Sequence, residues 1–502
     1  MTEINKKVIQ INPEDNVWVS LQDFKVGDTV SIDQQTIELL EDIPSGHKIA
    51  NQFISEGTNI IKYGYPIGKA TEDIEIGSFI HSHNVKTNLE GELEYTYSPK
   101  SFNKKSVDKA SMPTFKGYRR EDGNVGIRNE IWVINTVGCI NKIGENLVKM
   151  AEKTVDGENI DGICHFPHPY GCSQLGDDLL YTQKILADLI HHPNAGGVLV
   201  LGLGCENNQI ELMKEVIGDY NPNRVKFLGV QMIEDELEDG LELIDEIAQY
   251  INNFEREDTP VSELKIGLKC GGSDGLSGIT ANPLLGEFSD KLIEYGGTTV
   301  LTEVPEMFGA ENILMERAKD EETFNEIVQL VNDFKHYFIK YDQPVYENPS
   351  PGNKDGGITT LEEKSLGCVQ KGGFAPVQNI LPYGDRVTDK GLNLLQGPGN
   401  DLVSVTALAA SGCQIVLFTT GRGTPFGGPT PTMKIATNSA LAKRKKNWID
   451  FNAGTLVEDV EMDELVDEFF DYIIEVASGS KKTNNEKFGF KEIAIFKDGV
   501  TM

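Results

Sequence analysis

The stretch GGVLVLGLGCENNQIELMKEVI, residues 196–217, decides the fold. A continuous apolar run enters a glycine-containing loop, and an amphipathic helical segment follows it. This strand–loop–helix pattern is typical of one unit of an α/β fold with a mostly parallel sheet. Two flanking runs, NEIWVINTVG at 129–138 and VKFLGV at 225–230, repeat it, so residues 116–260 are predicted to form a middle α/β domain.

The pattern restarts after residue 260. A second doubly wound unit is therefore predicted for residues 261–502, with a final helix from residue 462. Its buried strands are KIGLKC (265–270), TTVLTEV (298–304), GLNLLQG (391–397) and QIVLFTTG (414–421), and the tail KEIAIFKDGVTM (491–502) is predicted to be an edge strand.

The N-terminal part has a different texture. Residues 12–88 contain short apolar runs separated by Gly, Asp and Pro, which predicts a small β-rich barrel or clip. Residues 89–115 are mostly polar without a sustained period, as expected of a long linker. The predicted fold class is therefore α/β, with a small β-rich barrel or clip preceding two mostly parallel sheets.

The charge of the chain limits its partners. A formal net charge of −32 over 502 residues argues against nucleic acid and anionic membranes as partners. No apolar run of 18 residues and no signal peptide stand out, so we expect a cytoplasmic protein. An acidic substrate would need its own local cluster of Arg or Lys against this background.

A cysteine repeat is the sharpest chemical signal. The pattern Gly-Cys-x-Asn/Gln places Cys139, Cys172 and Cys205 at intervals of 33 residues, and Gly367-Cys368 opens a fourth copy. Because loops after parallel strands converge on one crevice, the three thiols are candidate ligands for iron or zinc, or for an iron–sulfur cluster. The alternative is that each cysteine is a small buried side chain in a tight turn.

A glycine-rich loop follows the strand KIGLK. It contains Cys270, Ser273 and Asp274, and its glycines allow the backbone amides to approach an anion closely. Glu303 and Glu306 follow the next strand, and paired carboxylates suit a divalent cation and a proton acceptor. Cys270, Asp274 and Glu303 are the predicted metal site, with Ser273 binding substrate, although charge at a helix N-terminus would also explain the glutamates.

A third loop offers a cation for the substrate. Arg422 lies between two glycines after a strand, where its guanidinium can bind a carboxylate in a bidentate manner, unless it only forms a surface salt bridge. Thr424 and Lys434 in the same region, and Asn353 in the turn-rich loop 348–354, are predicted to line the substrate pocket.

Four side chains of the N-terminal module are candidate catalytic groups. They are His47, Lys62, His81 and His83. His81 and His83 stand at positions i and i+2 of a predicted strand, so their side chains are expected to face the same way. Their participation requires the module to fold over the pocket as a lid, and hydrogen-bonded structural histidines are the alternative. A dinucleotide site is disfavoured, because Asn207 stands where the third glycine of a Gly-x-Gly-x-x-Gly fingerprint would be.

Together, these motifs resemble the altronate/galactarate dehydratase family along nearly the whole chain. The motifs are GHKIA (46–50), NIIKYGYPIGKA (59–70), IHSHN (80–84), GYRREDGNVGIRNE (117–130), TVGCIN (136–141), YGCSQLGDD (170–178), GLGCENNQ (202–209), CGGSDGLSGITANP (270–283), NPSPGNKDGG (348–357) and TTGRGTPFGG (419–428). The resemblance implies an SAF-like β-clip first domain, a long linker and a middle domain used for contacts in a homodimer. It also implies a C-terminal Rossmann-like variant with a metal site, and dependence on Fe²⁺ or on Mn²⁺ in its place.

The resemblance also implies a hydro-lyase. The expected reaction converts D-altronate to 2-dehydro-3-deoxy-D-gluconate and water, within hexuronate catabolism. Two alternatives stay open at this point: dehydration of galactarate or a related aldarate, and a non-catalytic sugar-acid binding protein. In the expected mechanism a divalent metal acts as a Lewis acid, Arg422 holds the carboxylate, and a histidine or lysine of the first module moves the proton.

Overall fold

A computed structural model describes residues 7–89, 93–100, 112–458 and 460–502. Residues 90–92 and 101–111 of the predicted linker lie outside the described residues. The N-terminal module consists of nine short strands, as its short apolar runs predict: β1 Val8–Ile9, β2 Val17–Ser20, β3 Thr29–Ile32, β4 Gln35–Glu38, β5 Lys48–Ala50, β6 Asn59–Lys62, β7 Tyr65–Ala70, β8 Phe79–Ile80 and β9 Val85–Lys86.

These nine strands form three small antiparallel sheets. Their orders are β1-β2-β5-β8, β3-β4 and β6-β7-β9. Trp18, Ile43 and Ile49 lie in a small core of the module itself. Ile60 and Ile67 instead belong to the large core of the C-terminal sheet, so the module is packed firmly against that sheet.

The middle region is built around a four-stranded parallel sheet of order β13-β12-β14-β15. Helices separate its strands, as the alternating pattern predicts, and a small antiparallel sheet β11-β10-β16 lies beside it. The elements are β10 Thr114–Arg119, β11 Val125–Gly126, β12 Glu130–Asn135, α1 Asn141–Ala151, β13 Gly162–His165, α2 Gly176–Ile190, β14 Ala195–Gly202, α3 Ile210–Ile217, β15 Val225–Gly229, α4 Glu236–Ile251 and β16 Glu257–Pro260.

The C-terminal region contains a seven-stranded parallel sheet of order β19-β20-β18-β17-β21-β22-β23. Its elements are β17 Lys265–Cys270, α5 Ala281–Glu294, β18 Thr298–Leu301, α6 Glu311–Met315, α7 Glu321–Lys340, α8 Pro351–Asp355, α9 Leu361–Cys368, β19 Val377–Leu381, β20 Gly391–Leu395, α10 Asp401–Ala410, β21 Ile415–Thr420, β22 Thr432–Ala436, α11 Ser439–Arg444, β23 Phe451–Asn452, α12 Met462–Ala477 and α13 Asn484–Lys487. The predicted α/β class with mostly parallel sheets is confirmed. No helix in the described ranges is both long enough and apolar enough to cross a lipid bilayer.

The predicted edge strand at residues 491–502 is wrong. Apart from an isolated bridge between Thr501 and Gln174, the described tail pairs with no strand. Side chains take up its backbone N–H groups instead: Ile495 donates to the Tyr170 hydroxyl (3.1 Å) and Asp498 to the Asp178 carboxylate (2.7 Å). The apolar alternation of the tail therefore reflects anchoring of Ile493 and Ile495 in the core rather than a sheet register.

Candidate active site

The strand order of the C-terminal sheet reverses between β17 and β21. These strands are parallel neighbours with Leu268 opposite Leu417, yet the chain runs from β17 to β18 on one side and reaches β21 on the other. The loops beyond the carboxyl ends of two such strands diverge and leave a crevice, which is where ligands bind in open α/β sheets. The loop with Ser273 and Asp274 follows β17, and the loop with Arg422 follows β21.

A cavity of about 700 Å³ lies at this crevice. Asp274, Gly421 and Arg422 line it from the two loops, and Asn438 lines it from the end of β22. The N-terminal module closes one wall, with lining residues Leu21, Gln22, Ser45 and Gly46. The site is therefore composite, and neither part of the chain forms it alone.

The backbones of the two parts approach each other closely at this wall. A Cβ atom on Gly275 would lie 1.9 Å from the carbonyl oxygen of Gly46, so only glycine fits there. Lys48 Nζ donates to the carbonyl oxygen of Gly357 (2.7 Å), and His81 Nε2 lies 2.8 Å from the carbonyl oxygen of Lys354. These contacts hold the N-terminal module against the loops that border the cavity.

Two lysines of the module share one carboxylate of α9. Lys48 Nζ lies 2.9 Å from Glu363 Oε2, and Lys62 Nζ lies 2.7 Å from Glu363 Oε1, with all three side chains buried. Burial lowers the pKa of Lys48 to about 8, although Glu363 opposes that shift. Burial would raise the pKa of Glu363, but the two ammonium groups hold it well below its usual range. This buried triad fixes the module to the helix that carries Cys368.

The histidine pair lies beside the cavity wall. The rings of His47 and His81 are stacked with centroids 5.5 Å apart, and burial lowers the pKa of both. His47 Nδ1 lies 3.1 Å from the carbonyl oxygen of Ser45, which can only accept, so Nδ1 carries the proton and Nε2 has a free lone pair. The predicted strand position of His81 and His83 is wrong, because β8 ends at Ile80 and both residues lie in the turn that follows it. His83 is exposed and packs against Phe79. His47 does not itself line the cavity, but it directly follows Ser45 and Gly46, which do.

Arg422 is the cation of the cavity. Its side chain is exposed, and within the described ranges no hydrogen bond or ion pair holds its guanidinium. Thr424 accepts from the backbone N–H of Phe426 (3.3 Å) and shapes the same loop. Lys434 is buried within β22, where burial lowers its pKa to about 8, rather than among the residues that line the cavity.

Ser273 and Asp274 lie in the loop that follows β17. The Asp274 carboxylate accepts from the hydroxyls of Thr437 (2.9 Å) and Ser277 (3.1 Å), while burial raises its pKa. Asn353 Nδ2 donates to the carbonyl oxygen of Ser273 (2.9 Å) and joins α8 to this loop. The buried Ser273 hydroxyl has no partner among the described residues. Ser273, Asn353 and Thr424, which were predicted to bind substrate, are not among the residues that line the cavity.

A buried thiol–carboxylate group lies behind the loop. Cys270 and Cys368 have their Sγ atoms 3.3 Å apart, and each lies 3.2 Å from Glu306 Oε2. In the described ranges, this is the only group of three or more His, Cys, Asp or Glu whose ligand atoms all lie within 4.8 Å of one another. A tetrahedral ion with bonds of about 2.3 Å to sulfur separates two thiolates by about 3.8 Å. The sulfurs would need to move by about half an ångström.

Three lysines surround the group. Lys371 Nζ lies 3.0 Å from Cys270 Sγ, Lys364 Nζ 2.8 Å from Glu306 Oε1, and Lys269 Nζ 2.5 Å from Glu303 Oε1. Burial would raise the pKa of Glu306, but these ammonium groups hold it low, whereas the Cys270 thiol and burial raise the pKa of Cys368. Two sulfurs and one carboxylate oxygen are a soft donor set of the kind that binds transition metals. The donor set therefore fits a divalent transition metal.

The structure separates the predicted metal ligands. Of Cys270, Asp274 and Glu303, only Cys270 belongs to the thiol–carboxylate group, which Glu306 and Cys368 complete. Glu303 accepts from Lys269 and from the backbone N–H of Cys270 instead, and Asp274 lines the cavity. Cys139, Cys172 and Cys205 are exposed on the middle domain.

Sequence reasoning missed Lys48 and Glu363 and did not assign Glu306 or Cys368 as ligands. Lys48 directly follows His47 in GHK, and a charged residue inside a three-residue buried strand was the available signal. Glu363 gives no such signal, because its partners are 301 and 315 positions away.

Three family models match consecutive parts of the chain. The Altronate/galactarate dehydratase SAF domain matches residues 6–88. The second domain of D-galactarate dehydratase/Altronate hydrolase matches residues 117–252, and the C-terminal domain of D-galactarate/Altronate dehydratase matches residues 261–501. The β-clip module and both parallel sheets thus each have a counterpart in one family.

Whole-length relatives agree with the family models. The chain is 58% identical to an altronate dehydratase of Bacillus subtilis, over 99% of this chain and 100% of that one. It is 54% identical to an altronate dehydratase of Escherichia coli, over 98% and 99% of the two chains. It is 34% identical to a galactarate dehydratase (L-threo-forming) of Escherichia coli, over 97% of this chain and 96% of that one. The chain therefore belongs to the D-galactarate/altronate dehydratase family.

Proposed function

We propose that this sugar-acid hydro-lyase acts on D-altronate and releases 2-dehydro-3-deoxy-D-gluconate and water. The observation that carries the proposal is the composite cavity with Arg422 in its wall, in a chain that is 58% and 54% identical to two altronate dehydratases. The galactarate dehydratase is the less similar relative at 34% identity, so galactarate is the second candidate substrate.

Arg422 binds the carboxylate of the substrate in this proposal. Its unpaired guanidinium matches a carboxylate with two parallel hydrogen bonds, and it supplies positive charge in a chain of net charge −32. Charge builds up on this carboxylate when the C2 proton leaves, because the electrons move into an enolate-like group. Arg422 therefore binds more tightly in the transition state than in the ground state.

His47 accepts the C2 proton through its free Nε2 lone pair. The Ser45 carbonyl fixes the tautomer, and burial keeps the ring neutral near pH 7. The protonated ring then supplies the proton with which the C3 hydroxyl leaves as water. The resulting enol takes a proton from solvent at C3 and becomes the 2-keto acid. His81, stacked on His47, is a positioning residue.

Cys270, Cys368 and Glu306 would hold the divalent ion, Fe²⁺ or Mn²⁺. Such an ion supplies Lewis-acid stabilisation of negative charge. Lys364 and Lys371 keep the anionic ligands in place, and Glu303 orients the loop through the Cys270 N–H.

The domain boundaries, the compartment and the assembly belong to the same proposal. We place the SAF-like domain at residues 12–88, the linker at 89–115, the middle domain at 116–260 and the catalytic sheet at 261–502. All seven cysteines are free, which suits the reducing cytoplasm. A homodimer formed through the middle domain completes the proposal.

The test is product identification in D₂O. Anaerobic, Fe²⁺-supplemented enzyme is incubated with D-altronate and the product is followed by NMR. We expect a 2-keto-3-deoxy acid with one deuterium at C3, because ketonisation takes its proton from solvent. Binding of altronate without product would establish a sugar-acid binding protein instead. A 3-keto-2-deoxy product would refute loss of the C2 proton, because it forms when the C3 proton and the C2 hydroxyl leave.

A further inference from the structure

The middle sheet has its own switch point, and the three repeated cysteines lie there. In the order β13-β12-β14-β15, the chain leaves β12 towards β13 on one side and reaches β14 on the other. Cys139 follows β12, Cys172 follows β13 and Cys205 follows β14, all beyond the carboxyl ends of the strands. This is the position in a parallel sheet where ligands bind, and the catalytic cavity does not use it.

Direct hydrogen bonds join each of the three cysteine loops to both others. The N–H of Gly138 donates to the Tyr170 carbonyl (2.9 Å), and that of Asn208 donates to the Gly171 carbonyl (3.1 Å). The Thr136 hydroxyl donates to Glu206 Oε1 (2.6 Å) and closes the ring of contacts. The three loops therefore form one rigid unit, which we call the three-cysteine edge (Cys139, Cys172 and Cys205).

The thiols of this edge are exposed, unlike the other four. Cys270, Cys368 and Cys413 are buried and Cys164 is half-buried. Free cysteine is among the most buried residue types, so three exposed thiols on one rigid edge are not explained by packing. Gln231 Nε2 also lies 3.6 Å from Cys205 Sγ, and hydrogen bonds to the ligand sulfurs are a common feature of iron–sulfur sites.

We propose that the three-cysteine edge binds a [4Fe–4S] cluster with one iron left free of protein ligands. The three thiols do not all lie within 4.8 Å of one another in the described structure, so the edge as it stands does not suit a single ion. A mononuclear site needs thiolates about 3.8 Å apart, whereas a cluster separates its ligands because each binds a different iron. Three thiolates occupy three irons, and the fourth is open to an oxygen ligand.

The test compares full-length variants after anaerobic reconstitution with Fe²⁺ and sulfide. Wild-type protein should gain about four irons and about four acid-labile sulfides per chain, with the Mössbauer spectrum of a cubane cluster. The triple variant Cys139→Ser, Cys172→Ser, Cys205→Ser should lose the sulfide. Cys164→Ser, which changes a cysteine of the same domain outside the edge, should keep it.

Two further results decide the proposal. Cys270→Ser, Cys368→Ser protein should still bind sulfide-containing iron, because its three-cysteine edge is intact. Equal sulfide in wild type and the triple variant would overturn the proposal, as would one bound iron or zinc without sulfide. Circular dichroism confirms that the variants are folded. The sulfide content is independent of turnover, so failure here leaves the proposed dehydratase function untouched.

Discussion

Lys48 and Glu363 form a buried ion pair, with Nζ 2.9 Å from Oε2, although 315 positions separate them in the sequence. Lys62 completes the contact from the other carboxylate oxygen. Through this pair the N-terminal module is fixed to α9, whose last residue is Cys368. The wall of the cavity and a proposed metal ligand therefore depend on the same helix.

Loss of this carboxylate should destabilise the protein. In Glu363→Gln protein two buried ammonium groups lose their counter-charge, and breaking a buried pair costs about 3–5 kcal/mol. We expect a lower denaturant midpoint and easier proteolysis between the module and the C-terminal sheet. Asp42→Asn, which breaks the exposed Lys25–Asp42 pair, is the control and should leave the midpoint nearly unchanged. Equal effects of both variants would contradict the role of the triad.

Arg422 should be essential for tight transition-state binding. Arg422→Gln removes both charge-assisted hydrogen bonds to the carboxylate, so kcat/KM for altronate should fall about 10- to 100-fold. Arg422→Lys should recover little, because an ammonium group cannot bind in the bidentate geometry. Arg444→Gln removes an exposed arginine of α11 outside the cavity lining and should behave as wild type. Full activity of Arg422→Gln protein would exclude the proposed carboxylate contact.

The pH dependence of kcat/KM should report His47. Burial lowers the pKa of His47 below the usual 6.5, so the ring stays neutral at pH 7. Activity should therefore fall only when the pH drops below 6.5. The same shift affects stability: the unfolded state binds the proton more readily, so the contribution of His47 is complete above pH 6.5 and is lost on acidification. His47→Asn should cost about 100-fold or more in kcat and remove the acid limb.

His83→Asn is the matched control for His47, because His83 lies in the same module but is exposed. We expect its pH profile to match that of wild type. An unchanged acid limb in His47→Asn protein, measured where far-UV circular dichroism shows the native fold, would assign the titration to another group.

The thiol–carboxylate group should bind the divalent ion. Cys368→Ser and Glu306→Gln should each weaken Fe²⁺ binding by at least about tenfold under anaerobic conditions. Cys413→Ser, a buried cysteine outside the group, should not. Uptake should release protons and strengthen as the pH rises, because the pKa of Cys368 is raised. Unaltered iron content in both ligand variants would place the ion elsewhere.

The fold was largely predictable from the sequence because its signals are local. Apolar runs such as residues 195–202 predicted buried parallel strands, and amphipathic runs such as 236–251 predicted helices. The tail failed because Ile493 and Ile495 alternate like a strand, while Tyr170 and Asp178, distant in sequence, take up its hydrogen bonds.

The site was only partly predictable, for a related reason. The sequence placed Asp274 and Arg422 in loops that follow buried strands, but the order of those strands, which brings both residues to one cavity, came from the structure. Glu306 and Cys368 join Cys270 across 36 and 98 positions, and no local pattern encodes that contact.

The most direct test of the central claim is substrate preference of the Fe²⁺-loaded, full-length enzyme under anaerobic conditions. Initial rates of 2-keto-3-deoxy acid formation are measured with D-altronate and with galactarate over a range of concentrations. We predict a kcat/KM for altronate at least about tenfold higher, equivalent to about 1.4 kcal/mol of transition-state binding. A preference for galactarate, or no keto acid from either substrate, would contradict the account.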